Sequence, residues 1–179
     1  MKSRKQILNL AFAGVFLALA YVMPFLTGQI PEIGSRLCPM HIPVLLCGFV
    51  CGVPYGLIVG FVAPLLRSVT LGIPHLFPTA TAMAFELAMY GLMAGILYKY
   101  LPKKKPFIYV SLLGAMVVGR IVWGAVMFCI MSFDSANFGF AAFWAGAVVN
   151  AIPGIIAQII LIPALIMILE KAKIMPDKK

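Results

Sequence analysis

Four polar side chains lie in stretches of sequence that are otherwise almost wholly apolar. They are Arg67, Glu86, Arg120 and Asn150. Charged groups at membrane depth are costly, and they usually face a cavity, a partner or a ligand. Along ideal helices we expect Arg67 about 6 Å and Glu86 about 10 Å from the outer helix ends. Arg120 and Asn150 are expected about 15 Å deep, so that all four side chains line one cavity open to the outside.

Two interpretations of these residues stay open. They form a binding site, or they hold the helices together, with Arg67 paired to Glu86 and Arg120 bound to Asn150 or a backbone carbonyl. The neighbouring residues favour a site, because aromatic, Met and small side chains share the helical faces of the polar groups. The three faces are Met83, Glu86 and Tyr90; Arg120, Trp123 and Met127; and Phe143, Ala147, Asn150 and Gly154.

The two histidines lie beside several prolines in segments that we predict to be outer loops. We expect His41 and His75 at the outer surface, where a stiff Pro-rich loop is able to cover a site. The connector from Gly28 to Met40 is long, so a gating role is plausible. Cys38 and His41 form a C-x-x-H pair, but no second pair of ligands accompanies them, so we predict no metal and no cofactor.

Composition indicates that membrane helices must position these groups. Of the 179 residues, 63% are hydrophobic and 11% are charged, and the mean hydropathy is +1.07. A soluble domain of this size cannot bury so much apolar surface, so a cytosolic enzyme domain is excluded. We predict a single all-α domain of six transmembrane helices over residues 7–27, 40–52, 55–71, 79–101, 107–131 and 141–170.

The charges predict how this bundle is oriented. The net charge is +9, and eleven of the fourteen basic residues fall in segments that six spans place on one side. The positive-inside rule therefore predicts cytoplasmic N- and C-termini in a plasma membrane, and no nucleic-acid partner. The basic, apolar start resembles a signal peptide, but its run is long enough to span, so we interpret it as the first helix.

Small residues repeat along the first predicted helix. Ala11, Gly14 and Ala18 share one face, and small residues at this spacing permit close helix–helix approach. If that face looks outward, it is a docking face for another membrane protein; otherwise it packs within the chain.

Three segments carry a resemblance to a known family. The chain resembles the substrate-binding S component of energy-coupling factor (ECF) vitamin transporters, and we expect a bacterial source. The segments are PMHIPVLLCGFVCGVPYGLIVGFVAPLLRS over 39–68, FELAMYGLMAGILY over 85–98 and NAIPGIIAQIILIPAL over 150–165.

The resemblance implies a non-enzymatic subunit of an ATP-driven importer. Such a subunit binds a vitamin and associates with a transmembrane coupling protein and two cytoplasmic ATPases through its first helix, here at Gly14 and Ala18. It implies substrate binding near the outer helix ends, by Glu86, Arg120, Trp123 and Asn150, and less directly by Arg67 and His75. Tyr90 and Met127 share faces with these residues and join the predicted set.

The two buried arginines favour an anionic vitamin. Niacin or pantothenate is preferred, while riboflavin, pyridoxine and a thiamine precursor remain open, since Trp123 suits any flat ring. The alternative function is a stand-alone secondary transporter, but we find no internal repeat and Glu86 is the only buried carboxylate. An intramembrane enzyme is disfavoured because no catalytic motif occurs in the sequence.

Overall fold

Six α-helices make up the part of the chain that the structure describes. The computed structural model describes residues 2–27, 36–102, 104–133 and 151–172, together with residues 144, 146 and 149. No β-strand occurs in these ranges, which confirms the predicted all-α class. The helices are α1 (Lys2–Val22), α2 (His41–Cys51), α3 (Val53–Leu71), α4 (Thr81–Tyr100), α5 (Lys105–Phe133) and α6 (Ile152–Lys171).

Five of these helices are long and apolar enough to cross a membrane, and α2 is shorter. Its 11 residues extend about 16 Å, against a hydrocarbon core of about 30 Å. The prediction of a membrane span over 40–52 is therefore not matched by a helix of spanning length. Every residue of α2 is buried among the other helices. Gly52, with φ 88°, ends α2 in a conformation that favours glycine, and α3 begins directly after it.

The bounds of α2 to α5 lie within two residues of the predicted ranges, whereas α1 is shifted by five residues at each end and the last helix differs more. The predicted span 141–170 corresponds to α6, whose described helix begins at Ile152 and contains Pro163. Most of the predicted first third of this span, including Asn150, lies outside the described residues.

Helix α4 lies at the centre of the bundle and packs against α2, α3 and α5. Glycines permit its closest approach to α3. A Cβ added to Gly56 would lie 2.6 Å from the carbonyl oxygen of Gly91, a separation that real side chains do not reach. Backbone contact at this point fixes how deep each residue of α4 lies relative to α3.

Contacts between distant segments show which helix ends lie together. Asn9 Nδ2 donates to the carbonyl of Cys51 at 3.4 Å, and the Tyr55 hydroxyl donates to the carbonyl of Gln6 at 3.4 Å. Near the ends of α4 and α6, the Tyr98 hydroxyl donates to Glu170. The start of α1 and the end of α6 therefore share one end of the bundle. We call it the basic end, after its residues Arg4, Lys5, Lys99, Lys104, Lys105 and Lys171.

Candidate functional site

Three side chains, from α2, α4 and α5, lie around one buried carboxylate. Glu86 on α4 is 1% exposed, and its Oε1 lies 2.9 Å from Nη1 of Arg120 on α5. Nε2 of His41, the first residue of α2, lies 3.4 Å from the same oxygen, without hydrogen-bond geometry. Tyr90 is 1% exposed and lies one turn after Glu86 on the same face of α4. We call these four residues the Glu86 cluster.

The helix geometry explains why these groups meet. Glu86 and Tyr90 are one turn apart on α4 and point the same way. The Tyr90 ring packs edge-on against the His41 ring, with centroids 5.1 Å apart. Gly119 lies against the other side of that ring, because a Cβ there would collide with it. The missing side chain at Gly119 therefore brings α5, and with it Arg120, close to α4.

Arg120 is paired with Glu86 through Nη1, and this ion pair has no hydrogen-bond geometry, since Oε1 of Glu86 has no hydrogen-bond partner among the described residues. Its Nη2 lies 3.5 Å from Sγ of Cys38, a weak acceptor. Its Nε is buried and has no hydrogen-bond partner in the described part of the chain. Nε and Nη2 form one edge of the guanidinium, and that edge matches the two oxygens of a carboxylate. The side chain is 15% exposed, so this edge is not fully enclosed.

A short segment covers this edge. Cys38 is buried and has φ 47°, a left-handed conformation that is uncommon for a residue with a side chain. Its carbonyl accepts a hydrogen bond from the backbone N–H of His41 at 3.1 Å. The carbonyl oxygens of Arg36 and Leu37 both lie 2.7 Å from where a Cβ on Gly154 of α6 would be. Residues 36–40 are therefore fixed between α6 and the Glu86 cluster.

Trp123 and Met127, which were predicted to share a face with Arg120, lie one and two turns beyond it on α5. Trp123 is half-buried, and a Cβ on Gly146 would lie 2.7 Å from its ring. Met127, one further turn along, is also half-buried. These two residues continue the face of Arg120 toward the end of the bundle opposite the basic end.

Arg67 does not join the cluster. Its side chain is buried and its Nη1 donates to the carbonyl of Tyr21 at 2.7 Å. Its guanidinium lies 4.9 Å from the centroid of the Phe25 ring and 6.0 Å from that of Tyr21. The predicted pairing of Arg67 with Glu86 is wrong, because Glu86 pairs with Arg120. Arg67 instead links α3 to the end of α1.

The two histidines differ in placement. His75 is exposed, as expected, and precedes a single π-helical turn over Leu76–Ala80. His41 is 2% exposed, so the expectation that it lies at the outer surface is wrong. It was not among the predicted substrate-binding residues, although its position beside prolines and its C-x-x-H spacing from Cys38 had singled it out. Asn150, with its neighbours Phe143 and Ala147, lies outside the described residues.

The small-residue face of α1 points away from the bundle. Ala11, Gly14 and Ala18 are exposed, and a Cβ added at Gly14 would meet no atom within 4 Å. The opposite face, with Ala13, Phe16 and Ala20, is buried against α2 and α3. The alternative that this face packs within the chain does not hold for the described residues.

Comparison with known proteins adds one positive finding. A family model described as "ECF transporter, substrate-specific component" matches residues 8–166. Searches of curated proteins and of solved structures gave no match. Within the described residues, no group of three or more His, Cys, Asp or Glu side chains is arranged to hold a metal ion.

Proposed function

Because this chain belongs to the substrate-specific components of ECF transporters, we propose that it binds a water-soluble vitamin or precursor carrying a carboxylate. Its role is that of the high-affinity subunit of an ATP-driven importer, in a cell membrane. Membership of the family makes the chain a transporter subunit. Its long apolar helices make it a multi-pass membrane protein. The substrate and the site are our proposal.

The open edge of Arg120 carries the proposal. Two N–H groups of a buried guanidinium, Nε without a partner and Nη2 against a thiol, are poorly satisfied in the described structure. Leaving donors of a charged group unpaired costs more than leaving neutral ones unpaired. A ligand carboxylate would satisfy both, in the bidentate geometry that arginine favours. Niacin and pantothenate carry such a group, whereas riboflavin and pyridoxine would offer this edge only neutral oxygen acceptors, whose hydrogen bonds are weaker than those of a carboxylate.

The rest of the Glu86 cluster would orient Arg120 rather than hold the ligand's charge. Glu86 would neutralise the guanidinium at Nη1 and leave the Nε–Nη2 edge for the ligand. Trp123, one turn along α5, offers an apolar ring beside the carboxylate position. The carboxylate would take the place of the Cys38 thiol at Nη2, so residues 36–40 would have to adjust when the ligand enters.

Arg120→Ala tests this site. We expect binding of an anionic vitamin to weaken by about 1.5–3 kcal/mol, the range for hydrogen bonds to charged groups. The measurement is calorimetric titration of the purified chain with nicotinate and with pantothenate. Arg4→Ala, at the exposed basic end, is the matched control and should bind as the wild type does. If neither acid binds the wild-type chain, the proposal fails.

The exposed face of α1 supports the second part of the proposal, the docking of the coupling protein. Ala11, Gly14 and Ala18 leave a shallow, side-chain-poor strip that another helix could approach closely. The partners would be the transmembrane coupling protein and, through it, two cytoplasmic ATPases. The basic end would face the cytoplasm, in keeping with the positive-inside rule.

Gly14→Leu tests the docking face. We expect ligand binding to stay intact while co-purification with the coupling protein falls, because the added side chain blocks close approach. Ala125→Leu, an enlargement at an exposed position of α5, is the control. If Gly14→Leu co-purifies with the coupling protein as well as the wild type does, this face of α1 is not the docking surface. Ion-driven uptake by the chain alone in liposomes would favour a stand-alone secondary transporter instead.

A further inference from the structure

Helix α6 contributes a buried polar group that neither the sequence prediction nor the Glu86 cluster includes. Gln158 is 1% exposed, and its Oε1 has no hydrogen-bond partner among the residues that the structure describes. Leaving a buried amide oxygen unpaired is unfavourable, and such groups in folded proteins are nearly always satisfied. An unpaired carbonyl oxygen at this depth therefore calls for a donor.

Gln158 lies at the same depth as Glu86. The hydrogen bond between Tyr98 and Glu170 fixes the relative height of α4 and α6. Glu86 is twelve residues before Tyr98, and Gln158 is twelve residues before Glu170, on helices that run in the same direction. Both side chains are therefore about 18 Å from that contact along the bundle.

Gln158 also lies on the face of α6 that meets the segment above Arg120. Gly154, one turn earlier on the same face, contacts the carbonyls of Arg36 and Leu37. The next residue, Cys38, contacts Arg120. The buried stripe of α6 continues from Gly154 through Gln158. Gln158 therefore lies one turn of α6 from the residue that contacts the segment covering the open edge of Arg120.

We propose that Gln158 is a ligand-binding residue and that the substrate is a carboxylate that also carries an O–H or N–H donor. Arg120 takes the carboxylate through Nε and Nη2, and Gln158 Oε1 accepts from the donor group. The inference rests on the proposed function, which supplies the carboxylate. The inference adds a second contact, in which the protein accepts a hydrogen bond from the ligand instead of donating one. This requirement restricts the substrate to acids that carry a donor. An acid without a donor leaves the oxygen unpaired, and such a mismatch is what discriminates between similar ligands.

Two pairs of acids test the proposal. Biotin and lipoate share a pentanoate chain on a sulfur-containing ring, but only biotin has ureido N–H groups. Pantothenate has hydroxyl and amide donors, whereas nicotinate has none. Affinities of the full-length chain in detergent are measured by calorimetric titration for the wild type, Gln158→Leu and Arg120→Gln. Gln6→Leu, the same substitution at an exposed position of the basic end, is the control.

We expect the wild type to prefer the donor-bearing acid of at least one pair by about tenfold, the value of roughly one hydrogen bond to a buried group. Gln158→Leu should lose that preference and leave the affinity for the donor-free acid unchanged. Arg120→Gln should weaken binding of both acids. Gln158→Met, which keeps an unbranched chain but has no acceptor, repeats the test if Gln158→Leu does not fold.

Two results overturn the inference and leave the proposed function standing. One is a wild type that binds both acids of each pair equally well. The other is a Gln158 variant that keeps the preference for the donor-bearing acid or lowers the affinity for both acids equally. Binding of none of the four acids would overturn the proposed function, and the inference with it.

Discussion

Two arginines inside this bundle, Arg67 and the partly buried Arg120, have opposite surroundings. Arg67 is 1% exposed and contacts a backbone carbonyl and two aromatic rings, all from the end of α1 or the turn after it. Arg120 contacts a carboxylate and lies where α2, α4 and α5 converge. The first arginine has neutral partners among the described residues, and the second has a counter-charge held by further polar groups.

The difference indicates what each arginine does. The Arg67 guanidinium donates to a carbonyl and packs against aromatic rings. It therefore joins α1 to α3 and gives no selectivity for a ligand. The Arg120 guanidinium has Nη1 beside a carboxylate and its Nε–Nη2 edge open. It is therefore available to bind an anion through that edge. A position inside the bundle does not show whether an arginine joins helices or binds a ligand. The groups that contact its guanidinium do.

Removing Glu86 should have the largest effect on stability. Glu86→Leu leaves Arg120 buried without its counter-charge, and breaking a buried ion pair in this way costs about 3–5 kcal/mol. The measurement is the free energy of unfolding in mixed micelles titrated with a denaturing detergent. Glu170→Leu removes a carboxylate at an exposed position of α6, and it should cost much less. Equal losses in the two variants would contradict the assignment of Glu86 as the centre of the cluster.

Replacing Arg67 should have a smaller effect, and on stability alone. Arg67→Met keeps an unbranched side chain but removes the hydrogen bond to Tyr21, a loss of about 1.5–3 kcal/mol. Ligand affinity should not change, because no described contact joins Arg67 to the Glu86 cluster. Arg120→Met, the same substitution at the other arginine, should lower affinity. A loss of affinity in Arg67→Met would show that both arginines serve the site.

Sequence patterns predicted which residues face inward better than which residues meet. Helical spacing placed Glu86 with Tyr90, and the apolar surroundings of Glu86 and Arg120 indicated that they are buried. The pairing of Glu86 with Arg67 was wrong because α4 contacts both α3 and α5, and spacing along one helix does not say which neighbour supplies the partner.

The misplacement of His41 has a different physical cause. Prolines on both sides favoured a loop at the surface, yet Pro43 lies in the first turn of α2, where proline is tolerated. The helix therefore starts at His41 itself, and α2 is buried over its whole length. Gln158 was missed because a single amide in an apolar helix has no partner in the sequence that would mark it as part of a site.

His41 should contribute least to the stability of the cluster, although it faces the same carboxylate as Arg120. Its Nε2 lies 3.4 Å from Glu86, and neither ring nitrogen has a hydrogen-bond partner in the described ranges. His41→Phe keeps a ring against Tyr90 and removes two unpaired polar atoms, so the change in unfolding free energy should be about 1 kcal/mol or less. The measurement is the free energy of unfolding in denaturing detergent, determined for His41→Phe and Glu86→Leu in parallel. A loss as large as that of Glu86→Leu would mean that the imidazole, rather than Arg120, is the main partner of the carboxylate.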